Sequence, residues 1–179
     1  MKKKFSYFIS FFISIIIIFT FIYFFYNIKF PINYVGYINK YSTRYNLEPE
    51  IVASLINAES SYIATSVSSS GAVGLMQILP STAEYISKLI KEEFDLKKLY
   101  EPETNIKYGC FYLNYLYKKF TFDKEVLSAY NAGETIVFSW LKDVNLSKNG
   151  KTLDKIPYQV TNSYVNKILN TKKYYLGRV

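Results

Sequence analysis

The chain reads as an all-α domain behind an N-terminal transmembrane helix, and three observations carry that reading. Residues 5–26 form an apolar run broken only by Ser, Thr and Tyr; at about 1.5 Å per residue it is long enough to cross a hydrocarbon core of roughly 30 Å. Beyond it, apolar residues recur at spacings of three and four through successive segments, the period of helices with one buried face. No sustained period-2 alternation marks a strand, although residues 66–77 leave room for minimal β pairing.

In chain order, the first element is the anchor. Lys2, Lys3 and Lys4 precede the apolar run with no acidic residue near them, so the positive-inside rule leaves the N-terminus in the cytoplasm and the rest on the cell-wall side. A cleavable signal peptide is the alternative. The run is longer than the usual signal core, and the residues after it, Tyr26, Asn27, Ile28, Lys29 and Phe30, are too large for a small-residue cleavage site. No Cys follows to carry a lipid. We therefore expect residues 1–30 to be a cytoplasmic basic tip and a single-pass anchor in the cell membrane, and residues 31–179 to be one extracytoplasmic domain.

Residues 32–45 read as the next helix, with Tyr34, Ile38, Tyr41 and Tyr45 on one side. Pro49 opens a helix over 49–61, proline being suited to a first helical turn where its missing N–H is not needed. A Ser/Gly-rich loop, 66–74, uses Gly71 and Gly74 as points of backbone freedom, and Pro80 opens a helix through residue 91. A long amphipathic helix over 103–120 carries Ile106, Cys110, Leu113 and Tyr117 at helical spacing. A short one over 123–130 ends near Asn131 and Gly133. Helices over 134–143 and 158–170 flank a polar loop containing Asn149 and Gly150.

Composition narrows the chemistry. With no His and a single Cys, Cys110, the chain holds no Ser-His-Asp or Cys-His catalytic set, no His-based zinc site and no internal disulfide. No metal or other cofactor is expected. The net charge of +8 includes Lys2 to Lys4, so the exported part stays basic, suited to anionic wall polymers or simply a solvated basic surface. Nucleic acid is not an expected partner outside the membrane.

One carboxylate stands out. Ile51, Val52, Leu55, Ile56, Glu59 and Tyr62 share a helix face, so Glu59 points inward with apolar neighbours. Desolvation disfavours the charged form, so such a carboxyl holds its proton near neutral pH and is a candidate general acid. A salt-bridged helix glutamate is the plain alternative. No Asp or Glu occurs between Glu59 and Glu84, whereas most glycosidases place two carboxylates across the scissile bond.

These residues carry a resemblance. Glu59-Ser60-Ser61-Tyr62, then Gly71-Ala72-Val73-Gly74-Leu75-Met76-Gln77 with Pro80, Thr82 and Ala83, and later Ala129-Tyr130-Asn131-Ala132-Gly133, resemble lytic transglycosylases of the soluble lytic transglycosylase (SLT) type, which have a goose-type lysozyme-like fold. Pro102, Asn105, Ile106, Gly109, Tyr112 and Leu113, then Val137 and Trp140, and finally Ile156 to Leu169 extend the match over nearly all of the chain past the anchor.

The resemblance implies a peptidoglycan lytic transglycosylase with Glu59 as its single catalytic residue. Glu59 protonates the bond between N-acetylmuramic acid and N-acetylglucosamine, then takes the proton of the muramoyl 6-hydroxyl as that oxygen closes a 1,6-anhydro ring. Ser68 and Gln77 are expected to hydrogen-bond the sugar, Tyr130 to bond the Glu59 carboxyl, and Met76 and Tyr164 to line the cleft, with Asn131 beside them. Met76 and Tyr164 also suit plain core packing, and Asn131 suits backbone shaping. Glycan strands and the membrane are the implied partners, and a monomer is expected. A lysozyme-like hydrolase using water, and a non-catalytic or weakly active glycan-binding module docked to envelope or secretion-machine proteins, stay open as alternatives. Val160 and Asn162 stand where the family commonly has Glu and Arg, which bears on substrate preference.

Overall fold

The computed structural model describes residues 2–179, and it divides into two compact units, residues 1–32 and 33–179. The first holds α1 (Lys2–Lys29). Its stretch Phe11–Lys29 is apolar enough for a membrane span, with mean hydropathy 2.3 and no residue of the tested window buried. Phe11, Ile16, Phe19 and Phe24 are all more than half exposed, a cost in water that a lipid surround removes.

The second unit is helical: α2 (Val35–Tyr45), α3 (Pro49–Ser60), α4 (Pro80–Ile90), α5 (Pro102–Tyr117), α6 (Asp123–Ala132), α7 (Glu134–Lys142) and α8 (Gln159–Thr171). Three of these begin on a proline: Pro49 and Pro80 as the sequence led us to expect, and Pro102, where the helix was expected to start one residue later. Short 3-10 turns at Leu96–Tyr100 and Lys172–Tyr174 were not anticipated. Helix α2 starts three residues later than expected because Tyr34 adopts a left-handed φ of 60°, which a right-handed helix cannot include. Helix α6 runs two residues further, to Ala132, where Gly133 at φ 95° ends it.

Helix α3 is the centre of the core. Ile51, Val52, Leu55 and Ile56 are at most 1% exposed, and the helix packs between α2 and α8. Helix α5 contributes Ile106, Cys110, Leu113 and Leu116, α6 contributes Val126, Leu127 and Ala129, and α8 contributes Val165 and Ile168, all buried. The minimal β pairing after α3 consists of two isolated antiparallel bridges, Val67 with Val73 and Val73 with Ile78.

Candidate active site

Glu59 lies in the last turn of α3. The chain leaves the helix through two consecutive left-handed residues, Ser61 at φ 51° and Tyr62 at φ 65°. This reversal lets the following loop fold back over the helix end. Ser60 fixes it there: its buried hydroxyl donates to the Leu75 carbonyl at 2.9 Å. Tyr62 stays buried outside the helix, donating to the Ala53 carbonyl at 3.3 Å.

The loop is held from the far side by Asn105 of α5, which is 1% exposed. Its amide donates to the carbonyls of Val73 at 2.9 Å and Leu99 at 2.8 Å, and its oxygen accepts the Met76 N–H at 2.7 Å. Gly74, at φ 81°, must be glycine, since a Cβ there would run into the Asn105 amide and stand 2.6 Å from the Leu99 carbonyl. Gly109 plays the matching part on α5, because the Met76 side chain occupies the space a Cβ would need.

Over Glu59 comes α8. The Tyr164 hydroxyl donates to Glu59 Oε1 at 2.6 Å, and the Lys167 ammonium donates to the carbonyl of Ala58 at 3.2 Å. Burial pushes the Glu59 carboxyl up to about 7, against the smaller downward pulls of the Tyr164 hydrogen bond and the Lys167 charge. Burial and the nearby Glu59 hold the Tyr164 and Tyr130 hydroxyls far above the usual tyrosine range, so both are proton donors at any working pH. The set pairs a carboxyl protonated near neutrality with a fixed hydroxyl donor, which suits it to give a proton and then take one back.

The remaining expected residues fall into different roles. Tyr130 was expected to bond the Glu59 carboxyl; its hydroxyl instead donates to the Met76 carbonyl at 2.8 Å, and Tyr164 holds the acid. The reason is geometric: Tyr130 sits at the end of α6 facing the loop, where a buried carbonyl needs a donor. Met76, expected to line the cleft, is wholly buried against Gly109 and presents no side-chain surface. The Ser68 hydroxyl accepts the Ala72 N–H at 3.0 Å and pairs with Ser70 at 2.9 Å, so it builds the turn. The Gln77 amide nitrogen donates to the Gly74 and Ser66 carbonyls at 2.9 and 3.2 Å. Asn131 accepts the buried Thr161 hydroxyl at 2.8 Å, tying α6 to α8.

A pocket of about 230 Å³ opens between the loop and α6, lined by Gln77, Leu79, Thr82, Tyr112, Tyr130 and Asn131 among others. A second, of about 360 Å³, shares Thr82 and Tyr112 with it and adds Ser81, Tyr85, Tyr115 and Glu134. Together they form one aromatic groove. Tyr85, Tyr115 and Lys167 were not singled out in the sequence, where their spacing reads only as helix surface.

The transglycosylase SLT domain family matches residues 36–152. The chain belongs to that family. The soluble lytic murein transglycosylase of Salmonella typhimurium is 32% identical over 151 residues, 82% of this chain and 23% of that protein. The membrane-bound lytic murein transglycosylase C of Haemophilus ducreyi is 25% identical over 167 residues, 80% of this chain and 46% of its own length.

An X-ray structure of the lytic transglycosylase Slt from Pseudomonas aeruginosa, described as an inactive glutamate-to-glutamine mutant, superposes with a TM-score of 0.76 and 26% identity, covering 85% of this chain and 25% of that one. The chain therefore spans about a quarter of the length of its soluble relatives. As an SLT domain it has the lysozyme-like all-α fold, and the family features that the sequence carries map onto one place: the α3 end, the clamped loop and the helices that close over them. Among the described residues no cluster of acidic or Cys side chains suits a metal ion.

Proposed function

We propose that this protein is a membrane-anchored lytic transglycosylase that cleaves the β-1,4 bond between N-acetylmuramic acid and N-acetylglucosamine in peptidoglycan, forming a 1,6-anhydromuramoyl end. One observation carries the reading: Glu59, pushed to about 7 by burial, is held by a tyrosine, and among the described residues no hydrogen bond joins it to a second carboxylate. Most inverting and retaining hydrolases use a second carboxylate, as base or nucleophile. A reaction that uses the sugar's own 6-hydroxyl does not.

In this mechanism the Glu59 proton passes to the glycosidic oxygen as the C1–O4 bond breaks. The muramoyl O6 then bonds to C1, and its proton returns to the Glu59 carboxylate, so no water is consumed. Tyr164 stabilises the transient carboxylate through the hydrogen bond it already makes. The aromatic groove accepts the flanking sugars, whose apolar faces stack on Tyr112 and Tyr85 while hydroxyls meet Thr82 and Glu134.

The H. ducreyi relative is named as membrane-bound, and in this chain α1 supplies the anchor, with Lys2 to Lys4 cytoplasmic and the SLT domain facing the wall. Mass spectrometry of peptidoglycan digested by the wild type and by Glu59→Gln tests the reading. Products lighter by one water than hydrolytic ends, absent with Glu59→Gln, are expected. Free reducing ends would make it a hydrolase, and no products from the wild type would leave a glycan-binding module. Full-length protein in the membrane fraction, with its SLT domain open to external protease, is the expected topology.

A further inference from the structure

Helix α8 brings two polar side chains to the end of α3. Tyr164 and Lys167 are three residues apart and so lie on one face of the helix. The first reaches the Glu59 carboxyl itself, and the second reaches the carbonyl of Ala58, the residue before it. That carbonyl belongs to the last turn of α3, where the helix's partial negative charge collects, so the helix end helps to seat a cation there. Lys167 is exposed, and its ammonium makes no other hydrogen bond among those described. Around the carboxyl, α8 contributes Tyr164 and Lys167, and α6 contributes Tyr130. The two tyrosines are neutral, so Lys167 is the charged group among these three.

We propose that Lys167 is a positioning residue for the acid: seated on the Ala58 carbonyl, its ammonium tunes how readily Glu59 gives up its proton and steadies the carboxylate left behind. Burial alone would make Glu59 hold its proton too tightly to deliver it, and a neighbouring cation opposes that without neutralising the group by direct pairing. A cation in contact with the carboxylate would keep it ionised and cancel the acid. One carbonyl away, and open to water, it exerts a smaller pull.

The inference rests on Glu59 being the acid of the reading above, and its test needs no turnover. The Glu59 carboxyl is followed by infrared difference titration of the full chain in detergent, with the Glu59→Gln protein subtracted, between about pH 5 and 9. In Lys167→Met the midpoint is expected to move up by roughly half a pH unit, the scale of one exposed charge, and in Lys167→Arg to return to the wild-type value. Lys167→Gln serves the same purpose should the methionine variant not fold. A folded neutral variant that titrates like the wild type, or a shift that arginine does not reverse, overturns the inference. A protein that shows the shift but releases no anhydro product overturns the transglycosylase reading and leaves the role of Lys167 standing.

Discussion

The hydroxyl of Tyr164 donates to Glu59 Oε1 at 2.6 Å across 105 residues of chain, and it joins the two helices that must meet for the site to exist. Helix α3 delivers the acid and α8 delivers the group that aims it. The bond is part-buried, so it is stronger than a fully exposed counterpart.

Tyr164→Phe removes that donor and keeps the ring. A hydrogen bond to a charged group is worth about 1.5 to 3 kcal/mol, so kcat is expected to fall roughly ten- to a hundredfold. The bond favours the ionised form of Glu59, and its loss should also move the alkaline limb of the pH-rate profile to higher pH. A pH-rate series on both proteins checks the shift and the drop together.

Activity should fall as pH rises through about 7, since a general acid must start protonated and Glu59 titrates there. Stability falls over a lower window. The folded protein holds the Glu59 proton up to about 7 while the unfolded chain loses it near 4.5. The native state thus binds more protons between those values, and its stability declines across that range as pH rises. The full effect is about 3 kcal/mol. Glu59→Gln, neutral throughout, is therefore expected to melt several degrees above the wild type at pH 8 and close to it at pH 4.5, as thermal scans at the two pH values would show.

Asn105 is the clamp on the loop, and Asn105→Leu leaves the Leu99 carbonyl and the Met76 N–H without their buried partner, while the Val73 carbonyl keeps the Ile78 N–H. At about 1 to 3 kcal/mol for each unmet group the loss is large, and a fall in melting temperature of roughly 10 °C or more is expected. Asn114→Leu is the control, since among the described bonds the Asn114 side chain makes a single one, to the Tyr45 carbonyl at 2.7 Å. Its loss should be less than half as great by calorimetry.

The helices, the apolar face of α3 and the inward position of Glu59 were all legible in the sequence, because helical period and proline starts are local signals read within one turn or two. The partners of Glu59 were not. Tyr130 lies near the end of α6 and Tyr164 in the middle of α8, and which of them reaches the carboxyl depends on how α8 packs on α3 and α6, a long-range fact without a local mark. Asn105 was visible as a motif position, but its three bonds span two separate stretches of backbone. Ser68 and Gln77 looked like sugar contacts because hydroxyls and amides serve turns and ligands equally well.

Tyr130→Phe separates these two tyrosines by experiment. The Tyr130 hydroxyl satisfies the Met76 carbonyl at 2.8 Å, and its ring rests on Tyr112 with centroids 5.4 Å apart. Phenylalanine keeps the ring contact and abandons the carbonyl, which belongs to the wholly buried Met76. The expected cost is about 1 to 2 kcal/mol of stability, a few degrees of melting temperature. Because Met76 is also fixed through its N–H to Asn105, the loop should keep its path and the rate should fall by less than in Tyr164→Phe. The pH-rate profile should stay where it is, since Tyr130 does not bond the carboxyl. A profile that moves in Tyr130→Phe and stays put in Tyr164→Phe would reverse the two roles and place the working hydroxyl on α6.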